Sequence, residues 1–387
     1  MTSIVECLAA DWDAATLIGR IELPEGPTPI RVRKGRVQDI SGFAPTCADA
    51  LARADELAAF EGRDLGALAD MDFATVWGAP SPDAIKLLSP VDLQCVKASG
   101  VTFAVSAVER VIEERARGDA AAADEIRKTL KDRVGADLSA VKPGSEQAAA
   151  LKTALIADGL WSQYLEVAIG PDAEIFTKAP ILSSVGWGDY VGVRSDSAWN
   201  NPEPEVAVVC DSTGRILGAT LGNDVNLRDI EGRSALLLGK AKDNNASAAL
   251  GPFIRLFDDG FTLDDLRQAT ISLEVVGDDG FVMKGESSMS LISRDPVELV
   301  GQTVGKHHQY PDGLVLYLGT MFAPIDDRDA PGGGFTHKPG DRVRVSSPRL
   351  GVLDNKVTTC HQAPPWTLGV SGLMRNLASR GLLGGAR

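Results

Sequence analysis

Cysteine and histidine are scarce, with five and four copies in 387 residues. Cys7, Cys47, Cys95, Cys210 and Cys360 are far apart and form no C-x-x-C pair, which excludes the common cysteine zinc and redox motifs. Cys210 follows an apolar run and reads as a buried small hydrophobe. His307 and His308 are adjacent, so on a regular element they point apart and share no ion easily. His337 and His361 are isolated and expected in loops or on the surface. No apolar run approaches the ~20 residues of a membrane span. Basic residues are also outnumbered, 39 against 53 acidic, and the net charge of -14 argues against nucleic acid or an anionic membrane as partner. The first residues carry Glu6, Asp11 and Asp13 and do not read as a signal peptide, so a cytoplasmic protein is expected.

What is present is an ordinary globular balance, 44% hydrophobic and 24% charged. Residues 1–95 read as a small N-terminal domain, with a strand-like Thr28 to Val37 segment and a helical stretch from Ala48 to Phe60. Residues 96–160 read as a helical insertion. Val105, Val108, Val111 and Ile112 recur at helical spacing, with Glu109, Arg110, Glu113 and Glu114 as a solvated face. A second helix carries Ile126, Leu130 and Val134, and a third Leu151, Leu155 and Ile156. Residues 161–387 read as a β-rich catalytic domain, with strands at 205–209, 216–221, 271–276, 314–318 and 342–345. A last helix over 373–383 is expected to dock on the body or on a partner subunit. Gly332-Gly333-Gly334 lacks the context of a phosphate loop and reads as a flexible loop, or as a lid near the site.

The sharpest local feature is Asn201-Pro202-Glu203-Pro204-Glu205 leading into Val206–Val209. Residues two apart on a strand share a side, so Glu203 and Glu205 can present two carboxylates to one point, and such a pair demands a proton or a hard cation. Nineteen residues after Glu205, across a turn, Asp224 can supply a third oxygen ligand. A solvated strand edge would show the same E-x-E pair.

These residues also carry a resemblance. Glu203-Pro-Glu205-Val-Ala-Val-Val, Gly222-Asn-Asp224-Val-Asn-Leu-Arg228-Asp229, Lys242 ahead of Gly251-Pro252, Gly319-Thr320 and Lys338-Pro-Gly-Asp341 resemble, in order and spacing over about residues 160–360, the motifs of the fumarylacetoacetate hydrolase family. The resemblance implies an α+β fold with a mixed β-roll or barrel catalytic domain, a homodimer or higher homo-oligomer, and a Mg²⁺- or Mn²⁺-dependent enzyme acting on a 2-oxo acid. Glu203, Glu205 and Asp224 would be the metal ligands, Lys242 the cation beside the substrate, and Thr320 the residue holding its carboxylate. Arg228, Lys178 of Phe176-Thr-Lys178 and Ser106 would line the substrate.

The departures from the family pattern are informative. The segment matching G-x-N-Y-x-x-H-x-x-E is Gly100 to Glu109, with Ser106 where the histidine would stand. A hydroxyl cannot activate water as imidazole does near neutral pH, which argues against carbon–carbon hydrolysis. Glu231 and Asn245 also depart from the pattern and suggest a hydroxyl-rich substrate. The phrasing of Trp161 to Glu166 and Asp243-Asn-Asn245 resembles the branch that dehydrates 2-keto-3-deoxy sugar acids in non-phosphorylative pentose oxidation. It implies conversion of a 2-keto-3-deoxy pentonate, such as 2-keto-3-deoxy-D-xylonate, to 2,5-dioxopentanoate and water. Glu109 or Glu166 is the expected base, Glu166 being alternatively a fourth ligand, with Lys242 steadying the enolate. An acylpyruvate-type hydrolase, a 2-oxo acid decarboxylase and a non-catalytic keto-acid-binding protein are the rival readings.

Overall fold

The computed structural model describes residues 4–79, 81–117, 119, 122, 123, 126, 141–331 and 334–384. Leu130 and Val134 of the second expected helix, and Gly332 and Gly333, lie outside the described residues. In chain order the strands are β1 (Leu17–Leu23), β2 (Gly26–Arg33), β3 (Arg36–Asp39), β4 (Arg63–Ala67), β5 (Lys86–Leu88), β6 (Cys95–Gly100), β7 (Glu174–Ala179), β8 (Tyr190–Val193), β9 (Asn200–Asn201) and β10 (Pro204–Cys210). They continue with β11 (Ile216–Asp224), β12 (Asn226–Leu227), β13 (Ala248–Leu256), β14 (Thr270–Val276), β15 (Val282–Ser288), β16 (Leu314–Tyr317), β17 (Arg342–Ser347) and β18 (Gly351–Thr359).

An 11-stranded sheet runs β4-β3-β2-β1-β13-β11-β10-β16-β6-β7, with β5 also on β1, and a five-stranded sheet runs β15-β14-β17-β18-β8. Both pairing senses occur, β6 joining β16 and β8 joining β18 in parallel while the rest are antiparallel. The expected mixed α+β architecture is therefore present, and among the described residues neither strand order closes into a barrel. The period of two on β10 explains how it is buried on both faces. Val206 and Val208 face a core shared with Leu273, Val345 and Leu353 of the second sheet, while Ala207 and Val209 face Ala50 and Leu51 of the helix Cys47–Ala52.

Several expectations change in detail. Thr28 to Val37 is a hairpin rather than one strand, because Lys34 and Gly35 take positive φ and reverse the chain. Residues 1–95 supply β1–β5, and β1 pairs with β13, so these strands extend the large sheet. The helix Ala104–Arg115 is not half-solvated: Glu109, Arg110 and Glu113 are buried. The last helix, Val370–Ser379, docks on the body through Leu373 and Leu377 against Leu182. No helix among the described residues is long and apolar enough to cross a membrane.

Candidate active site

The β10–β11 hairpin sets the register that gathers the carboxylates. Pro204 pairs with Asn223 and Glu205 with Gly222, and the Asp224 amide donates to the Glu203 carbonyl at 3.0 Å. One ligand oxygen from each of Glu203, Glu205 and Asp224 lies within 4.8 Å of the other two, and all three residues are buried. The neighbouring strands bring the rest to the same end. β16 pairs with β10 and delivers Gly319 and Thr320, β6 pairs with β16 and ends at Gly100, and Glu174 opens β7 opposite Gly100.

Gly319 is required here. Its φ of 99° aims its N–H at Glu205 Oε2, 2.7 Å away, and a Cβ would strike Thr102. At Gly100 a side chain would meet the Glu174 carboxylate and force it to shift.

Cations fill part of the acidic cluster. The Lys242 ammonium bonds Glu203 and lies 3.2 Å from Asp224 Oδ2, and Arg110 bridges Glu203, Glu113 (2.7 Å) and Glu231 (2.8 Å). Lys178 sits 2.7 Å from Asp224 Oδ1. Glu205 differs: among the described residues it makes no ion pair, and its carboxylate accepts the Gly319 amide. Burial, then the charges of Asp224 and Glu203, push Glu205 well above the usual carboxylate range. Burial acts on Lys242 in the opposite sense, but Asp224, Glu203 and Glu231 outweigh it and hold the ammonium charged. Three oxygen donors around an under-neutralised carboxylate fit a small hard divalent cation.

Sequence reasoning placed Lys178, Arg228, Glu109 and Glu166 nearer to the chemistry than the fold does. Lys178 stands behind Asp224, donating to the Lys242 carbonyl (2.5 Å) and the Val225 carbonyl (3.1 Å), and so positions that carboxylate and the end of the helix Leu238–Lys242. Arg228 pairs with Glu113 at 3.0 Å and donates to the Pro324 carbonyl. Glu109 is buried on its helix but does not line the cleft. Glu166 pairs with Lys152 with 43% of its side chain exposed, outside the cleft. Ser106 and Thr320 do line it; the Ser106 hydroxyl donates to the Phe103 carbonyl at 2.8 Å and the Thr320 hydroxyl to the Phe322 carbonyl at 3.0 Å. Glu231 lines it too, whereas Asn245 donates to the Cys360 and Pro364 carbonyls elsewhere. His337 is buried against Asp341, at 3.0 Å, rather than superficial; His307, His308 and His361 are exposed.

Two charged cleft residues were missed. Glu174 lies two and four residues before Phe176 and Lys178, so the strand period alone points it toward the same region. Burial, reinforced by Glu231, pushes its carboxyl up to about 7 against the pull of Arg110 and Lys242. Arg110 lies one helical turn after Ser106 and shares its face. Replacing Arg110 with methionine leaves three buried carboxylates without their shared cation. It is expected to cost about 3 kcal/mol or more in urea unfolding with EDTA present. Replacing Glu166 with glutamine loses only a surface ion pair, and should shift stability by less than ~1 kcal/mol and leave turnover within about twofold.

Residues 173–358 match the family model described as "Fumarylacetoacetate (FAA) hydrolase C-terminal". A Haloferax volcanii protein named "Probable 2-keto-3-deoxyxylonate dehydratase" is 32% identical over 196 residues, 51% of this chain and 64% of that protein. The 2-dehydro-3-deoxy-D-arabinonate dehydratase of Saccharolobus solfataricus is 34% identical over 183 residues, 46% of this chain and 57% of that protein. Each match thus spans less than two thirds of the relative's own length. A solved 2-keto-3-deoxy-D-arabinonate dehydratase, complexed with magnesium and 2,5-dioxopentanoate, shares the fold with a TM-score of 0.63 at 23% identity, covering 89% of this chain and 99% of that one. The fumarylacetoacetate hydrolase of Exiguobacterium antarcticum does so with a TM-score of 0.54 at 17% identity, covering 89% and 100%. The matched segment, just under half of this chain, carries the three carboxylates, Lys242 and Thr320.

Proposed function

We propose that this chain is a Mg²⁺-dependent hydro-lyase that removes water from a 2-keto-3-deoxy pentonate to give 2,5-dioxopentanoate. The observation that carries the reading is one cleft holding a buried carboxylate triad, a charged lysine and a separate carboxyl, Glu174, raised to about 7. The two curated relatives, both dehydratases of such acids, support it. D-Xylonate and D-arabinonate differ only at C2 and C3, and a 2-keto-3-deoxy acid has lost both centres. In the D series the two relatives' names therefore describe one compound, and C4 is the centre left for this site to read.

Glu203, Glu205 and Asp224 are the residues that would hold the ion, which when bound supplies Lewis acidity that acidifies the proton beside the keto group. Glu174 takes the C3 proton. The acid so formed returns a proton to the C4 hydroxyl, which leaves as water with the C4–O electron pair, and the electrons of the C3–H bond become the new C3–C4 double bond. Moving a C5 proton to C3 then gives the C4–C5 enol, and transfer of its O–H proton to C4 leaves the C5 aldehyde. Lys242 keeps its charge and steadies the negative charge that collects on the keto oxygen. Thr320, which lines the cleft, orients the carboxylate. No step needs an activated water, which suits a cleft where a hydroxyl, Ser106, already donates to a carbonyl.

The test is a comparison of substrates with Mg²⁺ present: 2-keto-3-deoxy-D-xylonate, its C4 epimer and an acylpyruvate. The reading expects 2,5-dioxopentanoate from the first. Acylpyruvate cleavage without that product would replace it with the hydrolase reading.

A further inference from the structure

A cavity of about 590 Å³ shares no lining residue with the acidic cleft. It lies between β1, β5, residues 182–190 and the C-terminal residues 364–376, and its volume suits a small molecule. Arg20 of β1 lines it and is only 5% exposed, yet its Nε and Nη1 have no hydrogen-bond partner, and among the described residues it forms no ion pair. A guanidinium so buried demands an anion. Of the nearby acids, Glu22 lies in the field of Arg20 without an ion pair to it, and the others are committed elsewhere. Asp92 accepts the backbone N–H groups of Cys47 and Ala48, Asp189 holds Lys86 at 2.7 Å, and Glu25 holds Arg63 at 3.0 Å.

The rest of the lining narrows the ligand. Glu22 stands two residues from Arg20, so it shares that face of β1 and offers acceptors to hydroxyl groups. With Glu25 and Asp189 also on the wall, a dianion such as phosphate is disfavoured against a single carboxylate. The Trp366 ring, half-exposed and fixed by donation of Nε1 to the Leu368 carbonyl at 2.7 Å, offers a flat apolar face to C–H groups. We propose that this cavity is a second small-molecule site that binds a hydroxylated carboxylate, with its carboxylate on Arg20 and its hydroxyls toward Glu22.

The test titrates D-gluconate into the Mg²⁺-loaded full chain by calorimetry, with inorganic phosphate alongside. Gluconate is expected to bind wild type, and Arg20→Met to weaken it at least ~10-fold. Trp366→Ala, a change at an exposed side chain, is expected to weaken it at least ~3-fold by removing the stacking face. Glu205→Gln, in the acidic cleft, should leave this binding unchanged, which separates the site from the one proposed for the reaction. Removing an unpaired guanidinium should leave Arg20→Met folded, with a Tm at or above that of wild type. No gluconate binding, equal binding by Arg20→Met, loss with Glu205→Gln, or binding of phosphate alone would each overturn the proposal. So would dissociation of an oligomer by Arg20→Met in sedimentation, since the cavity would then hold a second copy of the chain.

Discussion

Glu174→Gln is expected to lower kcat at least ~10²-fold while leaving KM and Mg²⁺ affinity within a few-fold, because it removes proton transfer and no ligand contact. Glutamine keeps the shape beside Gly100, so a loss cannot be assigned to repacking. The carboxyl is held near 7 by burial and by the negative charge of Glu231 and Glu203, against Arg110 and Lys242. As a base it must be ionised, so wild-type turnover should fall as pH drops through this ionisation, and the acidic limb should vanish in the variant's residual rate. Stability should move the other way. A carboxyl raised from its ordinary 4.5 to about 7 in the folded state favours the protonated fold, so stability is full below 4.5 and is lost as pH rises to 7. Metal-free Glu174→Gln should therefore be more stable than wild type at pH 8, by on the order of 2 kcal/mol, and equal to it near pH 4.5. Urea melts at the two pH values check this; equal ΔΔG at both would remove the case for a strained carboxyl.

Glu205→Gln should be nearly as damaging for a different reason. Among the described residues Glu205 is the triad member that makes no ion pair, so the site's demand for an external cation is concentrated there. Losing that charge should cost several kcal/mol of ion binding, at least ~10² in turnover at fixed Mg²⁺. A readout independent of turnover is the melting temperature. Mg²⁺ should raise Tm in wild type by mass action and leave it nearly unmoved in the variant, whose metal-free form should melt at or above wild type. An equal Mg²⁺-induced rise in both would show that the ion, if bound, is held elsewhere.

The acidic hairpin was legible because a two-residue period and a short turn are local properties. Glu203, Glu205 and Asp224 needed only the β10–β11 register to meet. The buried face of Arg110 and Glu113 was not legible. Charged residues at helical spacing read as solvated unless their counter-charges are seen, and Glu203, Glu231 and Arg228 arrive from far along the chain. The same reason moved Lys178 from the substrate to the back of Asp224. Glu174 was within reach of the strand period that singled out Phe176 and Lys178, but its raised ionisation depends on Glu231 and on burial that only the assembled sheet supplies. That Glu166 lies outside the cleft was not legible, because sequence order says nothing of which helix face meets the cleft; its partner is Lys152.

The most direct test is the formation of 2,5-dioxopentanoate from 2-keto-3-deoxy-D-xylonate by the purified chain, measured as isolated, after EDTA, and after Mg²⁺ is restored. The account predicts product, loss of at least ~10² in rate with EDTA, and recovery with Mg²⁺. Undiminished product formation in EDTA, or no product with Mg²⁺ at saturation, would contradict it.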